Sequence, residues 1–332
     1  MKPPTASPPR VLGLREPDGS HGVRHGHPPA GEFPYAVGAR IAGDLTILGH
    51  LAVGRLCHLY QVWSAGEWCA FTCKILAPAR HGRRADVAAL RREARVLSGL
   101  RHPNLVRGYG GGEHDGLPYL LLEYLEGPSL FDLIEARPGR KLEPADAVRL
   151  AIHTGAALYH LHRGGTLHLD LKPANLLLRD GVPVLVDLDA ARRIGGPPSR
   201  KRLGTPPYMP PEQAARLPLG PAADVYGLGA LLYELLTGRW PFEHVYQNRS
   251  LSAEARQFPQ LDGARPPALR RFAPGITDTL ERIVLRCLEP EPRDRFEGMH
   301  PLLLALQDEL GAADSLWPDG VRAERRRAPR PT

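Results

Sequence analysis

The stretch His168-Leu169-Asp170-Leu171-Lys172-Pro173-Ala174-Asn175 places a carboxylate, an amine and an amide within six residues. It follows a predicted long helix over residues 144–162 and precedes two short apolar runs, residues 176–178 and 184–186. The two runs are joined through Asp180-Gly181, a pair typical of a tight hairpin turn. The sequence therefore predicts a polar loop held between a helix and a hairpin.

Asp187 comes directly after the returning strand of this hairpin. An antiparallel hairpin brings the residue before its first strand close to the residue after its second. We therefore expect Asn175 and Asp187 to present oxygens side by side, as a small hard cation such as Mg²⁺ requires. Asp170 is then available to accept a hydroxyl proton, and Lys172 to neutralise a transferring phosphoryl group.

Glu93 lies three residues after Leu90 and four before Leu97, on the apolar face of a predicted helix over residues 85–100. A carboxylate there would cost several kcal/mol unless it were paired. Lys74, in a predicted strand 19 residues upstream, is the natural partner. The alternative for an isolated pair is a solvated lysine and a glutamate at the edge of the stripe. The polar motifs further along the chain favour the buried pair.

The pattern of elements changes along the chain. Residues 42–76 alternate short apolar runs with glycine-bearing turns and predict an antiparallel meander, followed by the helix over 85–100 and a strand over 118–125. Beyond Gly127-Pro128 long helical patterns take over, at residues 144–162, 224–237, 276–288 and 300–310. We therefore predict an α+β protein with a small β-rich lobe and a larger helical lobe that meet near Glu126.

The length of 332 residues is sufficient for two such lobes. Proline and glycine, 35 of each, are concentrated partly in residues 1–34, which predicts a disordered leader. Residues 35–126 are then the first lobe and residues 127–311 the second. Residues 312–332 form a basic tail, interpreted as a solubilising end, with contact to nucleic acid or an anionic membrane as the alternative. We predict no nucleic-acid partner.

Composition excludes several protein classes. The four cysteines form no CxxC pair and no framework spacing, so we predict no disulfide or zinc site and a reducing compartment. No apolar run has the length of a secretory signal or a membrane span, so we expect a cytoplasmic protein without a membrane segment. The net charge of +7 favours acidic or phosphorylated partners without identifying one.

Taken in order, these motifs resemble the protein kinase family. The resemblance extends to the segment GTPPYMPPE at residues 204–212, to Asp224-Val225-Tyr226-Gly227 as the start of the family's long buried helix, and to Arg295 as the partner of Glu212. The LKPxN and GTPxY patterns are similar to those of serine/threonine kinases rather than of tyrosine or small-molecule kinases, and the resemblance is to bacterial-type serine/threonine kinases. The resemblance implies a bilobal kinase fold, a small antiparallel β lobe with one helix C above a mainly helical lobe.

The resemblance also implies functional residues. Lys74 would hold the α and β phosphates of ATP, Glu93 would orient Lys74, and Asp170 would orient and deprotonate a protein hydroxyl. Asn175 and Asp187 would hold Mg²⁺, with Mn²⁺ as an alternative. The other implied ATP contacts are Ala52 and Gly54 of the glycine loop, Leu59 and Leu177 around the adenine, Thr72 beside Lys74, and the hinge residues Glu123 and Leu125 after a gatekeeper at Leu122.

The sequence departs from the family at three places. The glycines of the phosphate-binding loop fall on Ala52, Gly54 and Cys57, so one of three remains, and Cys57 raises the idea of a redox sensor. The usual Asp-Phe-Gly is Asp187-Leu188-Asp189, in which Asp189 either attracts a second cation or stiffens the segment. These two departures favour an alternative, a pseudokinase that binds nucleotide or a partner without turnover. The five retained polar groups favour an enzyme.

The third departure is Leu169, which replaces the arginine of the family's His-Arg-Asp. That arginine is a buried charge that a phosphorylated activation segment neutralises. We therefore predict that activity does not require phosphorylation of Ser199 or Thr205. The same segment is strongly basic, which predicts either a solvated loop or docking of an acidic protein substrate; its basic residues are Arg192, Arg193, Arg200, Lys201 and Arg202.

Overall fold

The computed structural model describes residues 33–54, 56–197 and 202–311. Almost all of the predicted leader and the whole predicted tail, residues 312–332, lie outside this part of the chain. The exceptions are Phe33 and Pro34. Phe33 is only 8% exposed, and its ring stacks on His50 at 4.2 Å between centroids and meets Tyr60 edge-on. Within the described residues, the first lobe therefore includes Phe33, two residues before the predicted boundary at Tyr35.

The first lobe is built on an antiparallel sheet. Among the described residues its strands are β1 (Arg40–Ile41), β2 (Leu45–Val53), β3 (Cys57–Ser64), β4 (Cys69–Leu76), β5 (Gly108–His114) and β6 (Leu117–Glu123). They are arranged in the order β1-β2-β3-β4-β6-β5. In β3 the side chains of His58, Tyr60, Val62 and Ser64 are buried and those between them are less so, as expected of a half-buried strand. The predicted meander and the strand after it are confirmed.

Strand β5 was not predicted. Its sequence, GYGGGEH, lacks the apolar alternation by which a strand is recognised, and most of its residues are exposed. It pairs with β6 through an irregular register between Gly108 and Gly111. A Cβ at Gly111 would lie 2.2 Å from the carbonyl oxygen of Tyr119. The glycines that hide this strand in the sequence therefore allow its close approach to β6.

One long helix packs against this sheet. Helix α1 (Arg84–Ser98) buries Leu90, Glu93 and Leu97 and contacts β4, β5 and β6. The predicted apolar face is therefore the face that meets the sheet, and Glu93 belongs to it. This arrangement turns the one carboxylate of the face toward the strand that carries Lys74.

The second lobe is mainly helical. The described helices there are α2 (Leu130–Glu135), α3 (Pro144–Arg163), α4 (Pro211–Ala214), α5 (Ala222–Thr237), α6 (Glu243–Tyr246), α7 (Ala253–Gln257), α8 (Asp278–Cys287) and α9 (Met299–Leu310). The four predicted helices are α3, α5, α8 and α9. Helix α5 is buried from Ala223 to Thr237 and contacts α3, α8 and α9, so it forms the centre of this lobe.

Two small sheets place the polar loop. Strands β8 (Leu176–Arg179) and β9 (Val182–Leu185) form the predicted hairpin, with Leu176 opposite Leu185. Strand β7 (Thr166–Leu167), just before the loop, pairs with β10 (Arg192–Arg193), just after Asp187. Both ends of the polar loop are thereby fixed to the second lobe. No helix in the described part of the chain is both long and apolar enough to span a membrane.

Candidate active site

Lys74 is the centre of a buried ionic cluster. Its ammonium lies 3.0 and 2.9 Å from the two carboxylate oxygens of Glu93 and 2.8 Å from Oδ1 of Asp187. A fourth contact, also 2.8 Å, reaches Oδ1 of Asp189. The Lys74 side chain is only 5% exposed. The structure therefore joins the sheet, helix α1 and the segment after β9 at a single amine.

The charged groups in this cluster shift one another's pKa values. Burial disfavours the ammonium, but the carboxylates of Asp187, Asp189 and Glu93 outweigh it and hold the pKa of Lys74 well above its usual value. Burial raises the pKa of Glu93, which Lys74 opposes and the other two carboxylates reinforce. Burial also opposes ionisation of Asp187, yet Lys74 outweighs it and lowers the pKa of Asp187 to about 2.

The loop after β7 is fixed by a buried carboxylate on helix α5. Asp224 accepts hydrogen bonds from the backbone N–H groups of His168 and Leu169, at 2.9 and 2.8 Å, and from Nε2 of His162 at 2.7 Å. Burial opposes its ionisation, but the bond and charge of His162, the charge of His168 and the N–H of Leu169 together outweigh this effect and lower the pKa of Asp224. Leu169 has a φ of 67°, in the left-handed region, so the anchoring bonds stabilise a strained turn.

This turn presents Asp170 to three polar partners. Its Oδ1 accepts a 2.7 Å hydrogen bond from the hydroxyl of Thr205, and the ammonium of Lys172 lies 3.3 Å from its Oδ2. Nδ2 of Asn175 donates to the backbone carbonyl of Asp170 at 2.9 Å. Lys172 also donates to Thr205, at 3.2 Å. The structure therefore brings Asp170, Lys172 and Asn175 together and adds Thr205, which the sequence analysis treated only as a phosphorylation site.

Asn175 and Asp187 flank the open end of the β8–β9 hairpin. The N–H of Val186 donates to the carbonyl of Asn175 at 2.9 Å, which closes the hairpin beyond its strands. Asp187 has a φ of 61°, and this left-handed turn precedes Asp189. Asn175 uses its amide nitrogen on Asp170, so its Oδ1 is the atom suited to a cation. Carboxylate and amide oxygens are the donors that Mg²⁺ prefers, so these residues fit a magnesium site.

The expected nucleotide contacts lie on neighbouring strands above this cluster. Ala52 is opposite Leu59, Leu59 is opposite Lys74, and Thr72 is opposite Leu122 in the sheet register. At the tip of the β2–β3 turn the N–H of Gly54 donates to the carbonyl of Cys57 at 2.9 Å. A Cβ at position 54 would lie 2.9 Å from that oxygen, so the one retained glycine is required by the turn.

The hinge residues Glu123 and Leu125 precede Gly127 in the chain, whereas Leu177, the other expected adenine contact, lies on the β8–β9 hairpin. Glu123 ends β6 and pairs with Arg179 at 2.9 Å, and Leu125 is half-buried in the segment that follows. Leu177, on β8, forms an isolated bridge with Ser129. Gly127 has a φ of 141°, and a Cβ there would lie 2.0 Å from the carbonyl of Leu178. A glycine is therefore needed at position 127, where the segment after the hinge passes close to the backbone of β8.

The thiol of Cys57 is buried, and its environment favours the protonated form. It is 3% exposed, and burial raises its pKa far above the usual value, an effect that Lys74 only partly opposes. A reactive cysteine needs an exposed thiolate of low pKa. The structure therefore gives no support to the redox-sensor idea.

The segment GTPPYMPPE is docked onto the catalytic loop. Gln213 donates from Nε2 to the carbonyls of Leu169 and Leu203. Gly204 has a φ of 104°, and a Cβ there would lie 2.6 Å from the carbonyl of Leu169. Below it, Arg295 forms the expected pair with Glu212, at 2.7 and 2.8 Å through two parallel bonds. The segment that carries Thr205 is thus held at both ends.

Comparisons with known proteins agree with this arrangement. The family described as "Protein kinase domain" matches residues 45–303. The chain is 31% identical over 265 residues to the serine/threonine-protein kinase PrkC of Bacillus subtilis, covering 79% of this chain and 40% of that protein. It is 32% identical over 288 residues to the serine/threonine-protein kinase pkn2 of Myxococcus xanthus, covering 83% of this chain and 34% of that protein.

A third curated relative is the serine/threonine-protein kinase PknB of Mycobacterium leprae, 34% identical over 230 residues, which are 64% of this chain and 36% of that protein. The chain thus spans about a third to two fifths of the length of these relatives. Among solved structures, a cysteine-to-alanine variant of the PknI kinase domain of Mycobacterium tuberculosis superposes with a TM-score of 0.65 at 25% identity. That match covers 84% of this chain and all of the other.

Proposed function

The chain belongs to the protein kinase family, and from this premise we propose that it transfers the γ-phosphate of ATP to serine or threonine hydroxyls of proteins. The observation that carries the proposal is the contact of Lys74 with Glu93 and Asp187, which are 19 and 113 positions away in the chain. A chain that served only as a scaffold would have no need of this ionic constellation. Asp170, held separately by Thr205, supplies the group that the constellation lacks, a proton acceptor.

The residues divide the work of phosphoryl transfer. Asp170 orients the attacking hydroxyl and accepts its proton at a carboxylate oxygen. The hydroxyl of Thr205 fixes that carboxylate, and the amide of Asn175 holds the backbone carbonyl of the same residue. Lys74 binds phosphate oxygens, and Glu93 keeps the ammonium in position. Lys172 supplies a second positive charge beside Asp170. Positioning and charge neutralisation account for most of the rate gain in this class of reaction.

Asn175 and Asp187 would hold the divalent cation, Mg²⁺ in the first instance and Mn²⁺ as a substitute. A bound cation would neutralise phosphate charge and polarise the transferring group. The donors are oxygen atoms only, which suits either ion.

We also propose an acidic protein substrate, and the contacts of the described residues limit which basic side chains could bind it. Arg192 donates to the carbonyls of Asp189 and Ala191, and Arg202 pairs with Glu254 and stacks on Phe258. These two arginines are engaged within the chain. An acidic preference would therefore depend on exposed Arg193 and on Arg200 and Lys201, which lie outside the described residues.

We place this activity in the cytoplasm. The support is the chemistry of the four cysteines, Cys57, Cys69, Cys73 and Cys287, which are all free thiols. A reducing compartment is where such thiols persist.

Transfer of labelled γ-phosphate to the chain itself and to a generic basic protein tests the function. Asp170→Asn keeps the shape of the side chain but removes the proton acceptor, so we expect it to lower transfer by about a hundred-fold or more. Asp308→Asn removes an exposed carboxylate on helix α9, which carries none of the site residues, and is the matched control. Equal transfer by the native chain and Asp170→Asn, or none with Mg²⁺ or Mn²⁺, would favour the pseudokinase.

A further inference from the structure

Asp189 makes a direct contact with the amine that the proposed function assigns to nucleotide phosphates. Its Oδ1 lies 2.8 Å from Nζ of Lys74, as close as Oδ1 of Asp187. The backbone N–H of Asp189 donates to Asp187 at 3.3 Å, so the two carboxylates belong to one turn. The family resemblance gives glycine at this position, which has no side chain to make such a contact.

The contact saturates Lys74. An ammonium has three N–H donors. In this structure it faces four oxygens within 3.0 Å, two from Glu93, one from Asp187 and one from Asp189. A phosphate oxygen therefore has to displace one of them to reach Lys74.

The oxygen that can leave most readily belongs to Asp189. Glu93 is 1% exposed and also accepts the N–H of Leu188, so moving it would strand a buried carboxylate. Asp187 is 23% exposed and is assigned to the cation. Asp189 is 28% exposed, the most open of the three, and can turn toward solvent. A phosphate oxygen and the carboxylate of Asp189 would therefore compete for the same N–H donor of Lys74.

The net charge of the cluster around Lys74 also disfavours phosphate binding when no cation is present. One ammonium faces three carboxylates, and one oxygen from each of Glu93, Asp187 and Asp189 lies within 4.8 Å of the others. With the carboxylates ionised the cluster has two excess negative charges, in a partly buried site where charge interactions are strong. A polyphosphate without a cation would be repelled by this cluster. One divalent cation would neutralise the two excess negative charges.

We propose that Asp189 competes with nucleotide phosphate for Lys74 and so makes nucleotide binding conditional on a divalent cation. The inference rests on the proposed function, because it assumes that nucleotide binds at Lys74. Asp189 is a positioning residue in this account, since it acts through the amine and touches neither the hydroxyl nor the proton acceptor.

The test is equilibrium binding of ADP to the full chain, once in EDTA and once in saturating Mg²⁺. Asp189→Ala and Asp189→Asn both remove the charge. We expect each to tighten ADP binding in EDTA by about ten-fold or more, and to change binding in Mg²⁺ by less than about three-fold. Glu126→Gln removes one charge from an exposed residue beside the hinge, without contact to Lys74, and should leave the metal-free affinity unchanged.

The outcomes separate this inference from the function itself. Unchanged affinity in EDTA for both Asp189 variants, or the same gain for Glu126→Gln, would overturn it. Weaker binding of both variants in Mg²⁺ would also overturn it, because Asp189 would then be a ligand of the cation. The comparison of native chain with Asp170→Asn in phosphate transfer decides the proposed function independently.

Discussion

The hydroxyl of Thr205 donates a 2.7 Å hydrogen bond to Oδ1 of Asp170, a residue 35 positions earlier in the chain. It also accepts a 3.2 Å bond from the ammonium of Lys172. Thr205 thus couples the end of the activation segment to the proposed proton acceptor. A phosphate on this hydroxyl would place negative charge against the carboxylate of Asp170, so Thr205 is suited to positioning and unsuited to activation by phosphorylation.

Replacing Thr205 by alanine should therefore lower kcat with little change in KM for ATP. We expect a loss of about ten- to a hundred-fold, because a carboxylate released from its hydrogen bond spends less time in the reactive geometry. Thr205→Ser keeps the hydroxyl and should retain most of the activity. Steady-state phosphate transfer at varied ATP measures both constants. A native kcat for the alanine variant would show that Asp170 is positioned without this contact.

The ionic pair of Lys74 and Glu93 could be predicted from sequence, whereas the contact of Asp189 with Lys74 could not. Glu93 lies on the apolar face of a regular helix, and its burial alone implied a cation. The approach of Asp189 to Lys74 depends on the left-handed backbone at Asp187, for which the residue sequence gives no periodic signal. The contact of Thr205 with Asp170 likewise depends on how a loop folds back across the catalytic turn.

The same contrast holds for the fold. The hairpin around Asp180-Gly181 and the central helix α5 follow from turn chemistry and apolar pattern. Strand β5 was missed because its glycines permit close pairing with β6 but provide no apolar alternation. The sequence places Phe33 in the leader because it ends a stretch rich in proline and glycine, whereas its ring partners are on β2 and β3.

Leu169 leads to a prediction about regulation. It is buried in an apolar cluster with Leu167, Ala190 and Ala223, at the position where the family resemblance expects arginine. No buried charge there needs a phosphate to neutralise it. Ser199→Ala, in the part of the segment outside the described residues, should keep activity within about two-fold of native, and phosphatase treatment of the native chain should have as little effect. Collapse of activity in the alanine variant would refute this.

Breaking the buried pair of Arg295 and Glu212 should strongly destabilise the second lobe. Arg295 is 1% exposed and also donates to the carbonyls of Glu289, Pro290 and Ala222. Arg295→Ala would leave these acceptors and a buried carboxylate unpaired, so we expect a loss of about 3–5 kcal/mol in the free energy of unfolding. Arg295→Lys should recover little, because one ammonium cannot replace the two parallel bonds of a guanidinium.

Arg265→Ala is the matched control for that measurement in urea denaturation. Arg265 pairs with Glu289 at 2.9 Å, but its side chain is 67% exposed. Removal of a solvent-exposed pair should cost less than about 1 kcal/mol. Equal losses for Arg295→Ala and Arg265→Ala would contradict the expected cost of leaving Glu212 buried without a partner.

Glu234 on helix α5 should give the stability a dependence on pH. It is 2% exposed and accepts hydrogen bonds from the hydroxyl of Tyr208 at 2.5 Å and from Nε1 of Trp240 at 3.1 Å. Burial raises its pKa from 4.5 to about 7, although the bond from Tyr208 opposes this. The folded chain therefore holds a proton that the unfolded chain releases. The resulting stabilisation is fully present below pH 4.5 and is lost as the pH rises through about 7.

Glu234→Gln removes this titration and keeps a hydrogen-bonding side chain. The free energy of unfolding of the variant, relative to the native chain, should therefore rise by up to about 3 kcal/mol from acid to mildly alkaline pH, because one pKa unit corresponds to about 1.4 kcal/mol. Urea denaturation at several pH values measures it. Glu297→Gln, at an exposed position, controls for the loss of one negative charge. A difference in the free energy of unfolding that stays constant with pH would mean that Glu234 does not retain its proton in the folded state. Tyr208 and Trp240 would then stabilise a carboxylate.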